Sequence, residues 1–123
     1  MSRLFFDILT SMQIIQDTIT LDELKKVAQN LFGDMVKAVV DVENETIAID
    51  AELHADLESL LLQQGSKQVN LWGINLYPEL PESQFIQFDS LINIRPSVGN
   101  KSRNVENKQL CERIIEIVAK RIK

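Results

Sequence analysis

Three cations crowd one short stretch of this chain. Residues Asn93 to Asn104 read NIRPSVGNKSRN, and Arg95, Lys101 and Arg103 stand there among Asn93, Gly99, Asn100 and Ser102. Guanidinium groups grip phosphate or carboxylate through paired hydrogen bonds, and free amides in a loop before a helix add oriented dipoles. The expected site therefore has Arg95, Lys101 and Arg103 as electrostatic contacts. Asn93, Gly99, Asn100 and Ser102 shape its loop, and Asp89 borders it. The pattern is neither a Walker loop nor a Rossmann fingerprint. The same residues also suit a purely structural loop, with Asn100 and Ser102 forming turns, Arg95 paired with Asp89, and Lys101 and Arg103 solvated.

His54 is the one histidine and lies in IDAELHAD, flanked by Asp50, Glu52 and Asp56. An imidazole oriented by a carboxylate titrates near neutrality and suits a general base, here of a hydrolase working beside the anion loop. The alternative is a histidine at a helix start, bonded to backbone. No metal site is expected, because a lone histidine with loosely spaced carboxylates lacks the paired His or Cys pattern of zinc sites. No motif names a cofactor. Cys111 is the single cysteine and falls on the apolar side of a helical pattern, which suits a buried small hydrophobe. Asp41 and Asp50 read as the solvated face of a hairpin.

The elements that must hold these residues follow from periodicity. Thr20-Leu21-Asp22-Glu23 is a capping box, and Leu21, Leu24, Val27, Ala28, Leu31 and Phe32 recur at helical spacing until Gly33. Val36, Ala38, Val40 and Val42 then alternate as a strand, and TIAID continues the alternation after a short polar connection, giving a β-hairpin. Ala55 to Gln64 reads as a second helix closed by Gly65. QVNLWGINLYP and QFIQFDSLINIRP form a second hairpin, and a turn near Pro81 puts Gly73 across from Asp89. Leu110, Ile114, Ile117, Val118 and Ile122 stripe a last helix, with Asn104 or Asn107 at its start. The fold class predicted is α+β: an antiparallel sheet of two hairpins, four or five strands with one near Met12 to Gln16, packed with three helices on one face in the order αββαββα.

At 123 residues, 45% hydrophobic and 25% charged, the chain fits one globular domain. We divide it into an N-terminal extension, 1–11, and a single α+β domain, 12–123. The cluster in MSRLFFDILTSM is broken by Asp7 and is short of the ~20 residues that span a bilayer, so neither membrane anchor nor secretory signal is expected. A reducing, cytoplasmic setting fits. Up to Ile94 five Lys or Arg face fifteen Asp or Glu, a balance of −10; from Arg95 onward eight face three, a balance of +5. The basic last quarter is expected to lie against the acidic remainder of the same fold.

The stretches GDMVKAVVD, ELHAD, LLLQQGSKQVNLWGIN and FDSLINIRPSVGNKSR resemble a small prokaryotic family, a domain of unknown function, from about Met12 to the end of the chain. The resemblance implies a fold boundary and no activity. It also implies glycines where Asp50 and Ala51 stand and an Asp-Pro helix start where Asn107 and Lys108 stand. The function expected is binding of a small anionic ligand. A second copy of the chain is the alternative partner, and the acidic balance disfavours nucleic acid.

Overall fold

A computed structural model describes residues 11–123; residues 1–10, most of the N-terminal extension and its apolar cluster, lie outside the described residues. The capping box forms as expected. Thr20 Oγ1 accepts from Glu23 N at 3.1 Å, Glu23 Oε1 accepts from Thr20 N at 3.0 Å, and α1 runs Leu21–Leu31. Gly33 takes a φ of 93°, the left-handed stop that its missing Cβ permits.

Strand β1 (Gln13–Ile15) precedes α1, and β2 (Val36–Asp41) and β3 (Thr46–Ile49) form the first hairpin. Helix α2 (His54–Gln63) leads into β4 (Leu71–Leu76), β5 (Ile86–Gln87) and finally α3 (Lys108–Arg121). The five strands lie antiparallel in the order β1-β3-β2-β4-β5. This is an α+β fold with the element order the sequence implies. Among the described residues no helix is long and apolar enough to cross a membrane.

Helices cover both faces of the sheet, not one. Helices α1 and α3 pack on Val36, Ala38, Val40, Ile47, Ile49 and Ile74 through Leu24, Val27, Ile114, Ile117 and Val118. Helix α2 packs on the opposite face, where Leu57 and Leu61 meet Val39, Ala48 and Leu71. The reason is that Val39, Ala48 and Leu71 are apolar on the side read from alternation as solvated. Leaving Leu57 and Leu61 exposed would forgo about 1.5–3 kcal/mol each. Asp41 is accordingly buried, not solvated. Its carboxylate accepts from Glu43 N, Asn44 N, Asn44 Nδ2 and Ser66 Oγ at 2.6–3.0 Å, so it ties the β2–β3 turn to the end of α2.

The second hairpin departs most from expectation. Its ladder pairs Asn75 with Gln87 and Leu76 with Ile86, a register that extrapolates to Gly73 opposite Asp89, but pairing stops there. Residues Leu91–Asn93 and Pro96–Val98 are 3-10 turns in place of strand. The amide of Asn93 replaces the missing ladder: its Oδ1 accepts from Gly73 N at 2.8 Å and its Nδ2 donates to Gly73 O at 2.9 Å.

Candidate functional site

The loop after Asn93 is built from the inside by asparagines. Asn93 also donates to Arg103 O at 3.0 Å, and Asn100 Nδ2 reaches the carbonyls of Asn93, Ser102 and Asn104 at 2.7–3.1 Å. Asn100 Oδ1 accepts from Glu106 N at 2.9 Å, and Arg95 and Asn100 exchange two backbone bonds. Gly99 turns the chain at a φ of 85°. Asn93 and Asn100 are both buried. Their side chains are used by the fold.

The three expected cations go to different places. Arg95 turns to α2, where its Nη2 meets Glu58 Oε2 at 3.3 Å with only 11% and 14% of the two side chains exposed. Its guanidinium also lies 4.8 Å from the centre of the Trp72 ring. The pairing of Arg95 with Asp89, weighed from sequence, is thus replaced by Arg95 with Glu58; Asp89 Oδ1 instead accepts from Arg103 Nε at 2.6 Å. Lys101 is exposed, and its backbone amide donates to Glu106 Oε2 at 3.0 Å, where Ser102 Oγ donates at 2.7 Å. The hydrogen bond from Ser102, then that from the Lys101 amide, holds the Glu106 carboxyl below its ordinary range.

His54 begins α2 and is buried. The helix has no side-chain cap; instead His54 Nε2 donates to Ile74 O, 2.8 Å away in β4. A carbonyl only accepts, so Nε2 carries the proton and Nδ1 is the basic nitrogen. Burial chiefly keeps the imidazole neutral. Lys37 and Arg103 push its pKa further down, while the Ile74 bond and Asp89 oppose them. The carboxylate acting on His54 is thus Asp89, which the fold delivers from beyond β5, in place of the flanking Asp50, Glu52 or Asp56.

Those electrostatic neighbours mark a polar place that sequence reading did not assemble. Lys37, Asn75 and Gln87 occupy facing register positions on β2, β4 and β5. They lie on the α2 side of the sheet, the side of Val39 and Leu71, at the end where α2 begins. Asn75 Nδ2 donates to Gln87 Oε1 at 3.1 Å and to Asp89 O at 3.2 Å, and Tyr77 OH donates to Gln87 Oε1 at 3.2 Å. Asn75 is 6% exposed, yet its Oδ1 is buried with no hydrogen-bond partner among the described residues. Lys37 interrupting an apolar alternation, and Asn75 opposite the Trp72-Ile74-Leu76 face, were the available signals. What joins them to His54 and Arg103 is the sheet register and the breakdown of β5.

Among the described residues no group of three His, Cys, Asp or Glu side chains is arranged to hold a metal. The lone Cys111 is half-buried, its Sγ donates to Val105 O at 3.2 Å, and burial raises its thiol pKa. Comparison with curated proteins finds no match, and comparison with solved structures finds none. A family model does match, over residues 13–121, and by that match the chain belongs to the family described as protein of unknown function DUF5674.

Proposed function

We propose that this chain is a small-anion binding module whose ligand sits on the polar row at the start of α2. Lys37, whose ammonium lies 5.2 Å from the centre of the Phe32 ring, and Arg103, paired with Asp89, would turn to the ligand to supply the positive charge, Gln87 supplies an amide donor, and His54 pins the helix start beside them. The observation that carries the reading is the row itself, Lys37, Asn75 and Gln87 in register across three strands, beyond the apolar patch of Val39, Ala48 and Leu71 on the same face. Polar groups set into a sheet face cost free energy unless they are bonded or used. Binding is preferred to hydrolysis because His54 is a buried ring that anchors the start of α2 through Ile74 O, with only Nδ1 left as a base. Arg103 is the residue shared with the loop picked out from sequence.

Thermal unfolding against a panel of phosphates, nucleotides and carboxylates tests the reading. A ligand at a hundredfold excess over its Kd stabilises by about 2.7 kcal/mol, a shift of several degrees in Tm. Lys37→Gln and Arg103→Gln are expected to abolish the shift, and Lys101→Gln to leave it. Loss of the shift on Lys101→Gln alone moves the site to the loop, and a Tm indifferent to the whole panel overturns the proposal.

A second reading is an interaction protein that pairs with its own copy. It is favoured by a cleft of about 580 Å³ between α3 and residues 78–88, where Leu80 and Ile115 are exposed beside Phe85 and Phe88. Four ion pairs already join the basic last quarter to the acidic part of the same chain. A dimer made through this cleft is therefore apolar, and light scattering is expected to show it persisting at high salt.

A further inference from the structure

Resting on the second reading, that the chain pairs with its own copy through the cleft, we propose that the two copies join at the open edge of the sheet. There β5 lies antiparallel to the β5 of the second copy, and the two sheets run on as one. The edge is read from the direction of the peptide groups. Tyr77 N donates to Phe85 O at 2.8 Å, so that carbonyl points at the strand beside it. In a trans peptide the next N–H points the opposite way, and it belongs to Ile86. The ladder goes on through Leu76 with Ile86 and Asn75 with Gln87. Bonded and non-bonded pairs alternate, so the Ile86 C=O also turns away from β4. Because β5 is last in the sheet order, both groups face the open edge.

An unpaired donor and acceptor on an edge form a template for another strand, which a charge or a proline blunts. Phe85-Ile86-Gln87-Phe88 carries neither. Two residues of strand set a register and hold little. The holding surface lies alongside, in the cleft of about 580 Å³ lined by Ile86 and Phe88 and by Ile115 and Ala119 of α3. Ile115 is 47% exposed and Leu80 41%.

The occupant is a second copy because the patch complements itself. The charged side chains among its described lining residues are Glu82 and Lys123, one of each sign. A two-fold axis sets each patch on the same patch of the other chain, so every acid comes with a base. A strongly acidic or basic partner finds no net charge there to match. Pairing of β5 with β1, the other edge of the sheet, is head-to-tail and open-ended, whereas β5 with β5 closes at two.

Amide hydrogen exchange by NMR on the full chain, with light scattering on the same samples from dilute to concentrated, separates the parts. Scattering is expected to show a dimer. The Ile86 amide is expected to exchange about tenfold more slowly once roughly nine-tenths of the chains are paired, because exchange then passes through the remaining monomer. Ile115→Lys, on the exposed side of α3, is expected to return the chain to a monomer. A dimer that Ile115→Lys dissociates, but in which the Ile86 amide exchanges at the same rate at every concentration, overturns the edge pairing and leaves the cleft reading standing. Assemblies that grow beyond two do the same. A monomer throughout, or a dimer indifferent to Ile115→Lys, removes both.

Discussion

Asp50 shows how residue type and backbone part company. It holds a φ of 77°, the left-handed region, which costs an L-residue about 1–2 kcal/mol and glycine almost nothing. Burial also raises the pKa of its carboxyl. The resemblance seen in the sequence implies glycine here, and the structure shows why: the chain must turn sharply between β3 and α2. With Asp at this position the chain takes the left-handed turn, and His54 reaches Ile74 O at 2.8 Å. Gly33 and Gly65 announced their left-handed turns by residue type, but Asp50 did not. We expect Asp50→Gly to stabilise the protein by about 0.5–1 kcal/mol, less than the full relief because glycine also loosens the unfolded chain. Urea unfolding measures it, and a midpoint that falls would show that the Asp50 side chain contributes more than its backbone costs.

At the scale of elements, the capping box, the first hairpin and the striped last helix were legible because one periodicity or one cap excluded other readings. Residues 84–95 were not. Ile86, Phe88, Ile92 and Ile94 alternate as a strand would, and the chain nonetheless leaves the sheet after Gln87. What takes over is side-chain bonding to backbone: Ser90 Oγ accepts from Ile92 N at 3.3 Å, and Asn93 serves Gly73 as a substitute strand. Two polar residues in the right places thus outweigh an alternation, and spacing does not reveal which carbonyl they will find. Asn75 and Lys37 were not brought together from spacing, because their row with Gln87 depends on the strand order β2-β4-β5. Gly73 is the hinge of this arrangement. A Cβ there would lie 2.6 Å from both Cβ and Oγ of the buried Ser90 and 3.1 Å from Ile92 Cγ1. Its backbone is not left-handed, so the glycine is required by closeness alone. Gly73→Ala is expected to cost about 1–3 kcal/mol by overpacking, and less in a Ser90→Gly background that removes the colliding atoms. Chemical denaturation of the two single variants and the double variant gives the coupling; equal costs in both backgrounds would place the strain elsewhere.

The whole molecule is held by charges that its sequence segregates. Glu45, at the first hairpin turn, accepts from Arg113 Nη2 at 2.8 Å and Lys120 Nζ at 2.7 Å, while its backbone oxygen accepts from Arg121 Nε at 2.7 Å. Helix α3 is thereby clamped to the hairpin, as the acidic-then-basic balance of the sequence led us to expect. The side-chain hydrogen bonds, first from Lys120 and then from Arg113, depress the Glu45 pKa from 4.5 to about 2. A depressed carboxyl stabilises the folded state above its unfolded value and loses that contribution as pH falls through the folded one, here between 4.5 and about 2. Glu23, held by Thr20, and Glu106, held by Ser102, act in the same direction. His54 acts earlier. Burial lowers its pKa from 6.5, so below that pH the unfolded chain takes up the proton that the folded one refuses, and stability declines on acidification. Asp50, with a raised pKa, opposes the acid limb only slightly, being one carboxyl against three. The profile of Tm against pH is therefore expected to be level above about 6.5, to bend downward first below that value and to steepen again below about 4.5. His54→Gln, which keeps a donor for Ile74 O but no titrating ring, should remove the first bend and leave the second. Glu45→Gln should flatten the second and leave the first. A wild-type profile that stays level from pH 7 to 5, or a first bend that survives His54→Gln, would show that the folded protein accepts the imidazolium and that His54 is not the buried neutral anchor of α2.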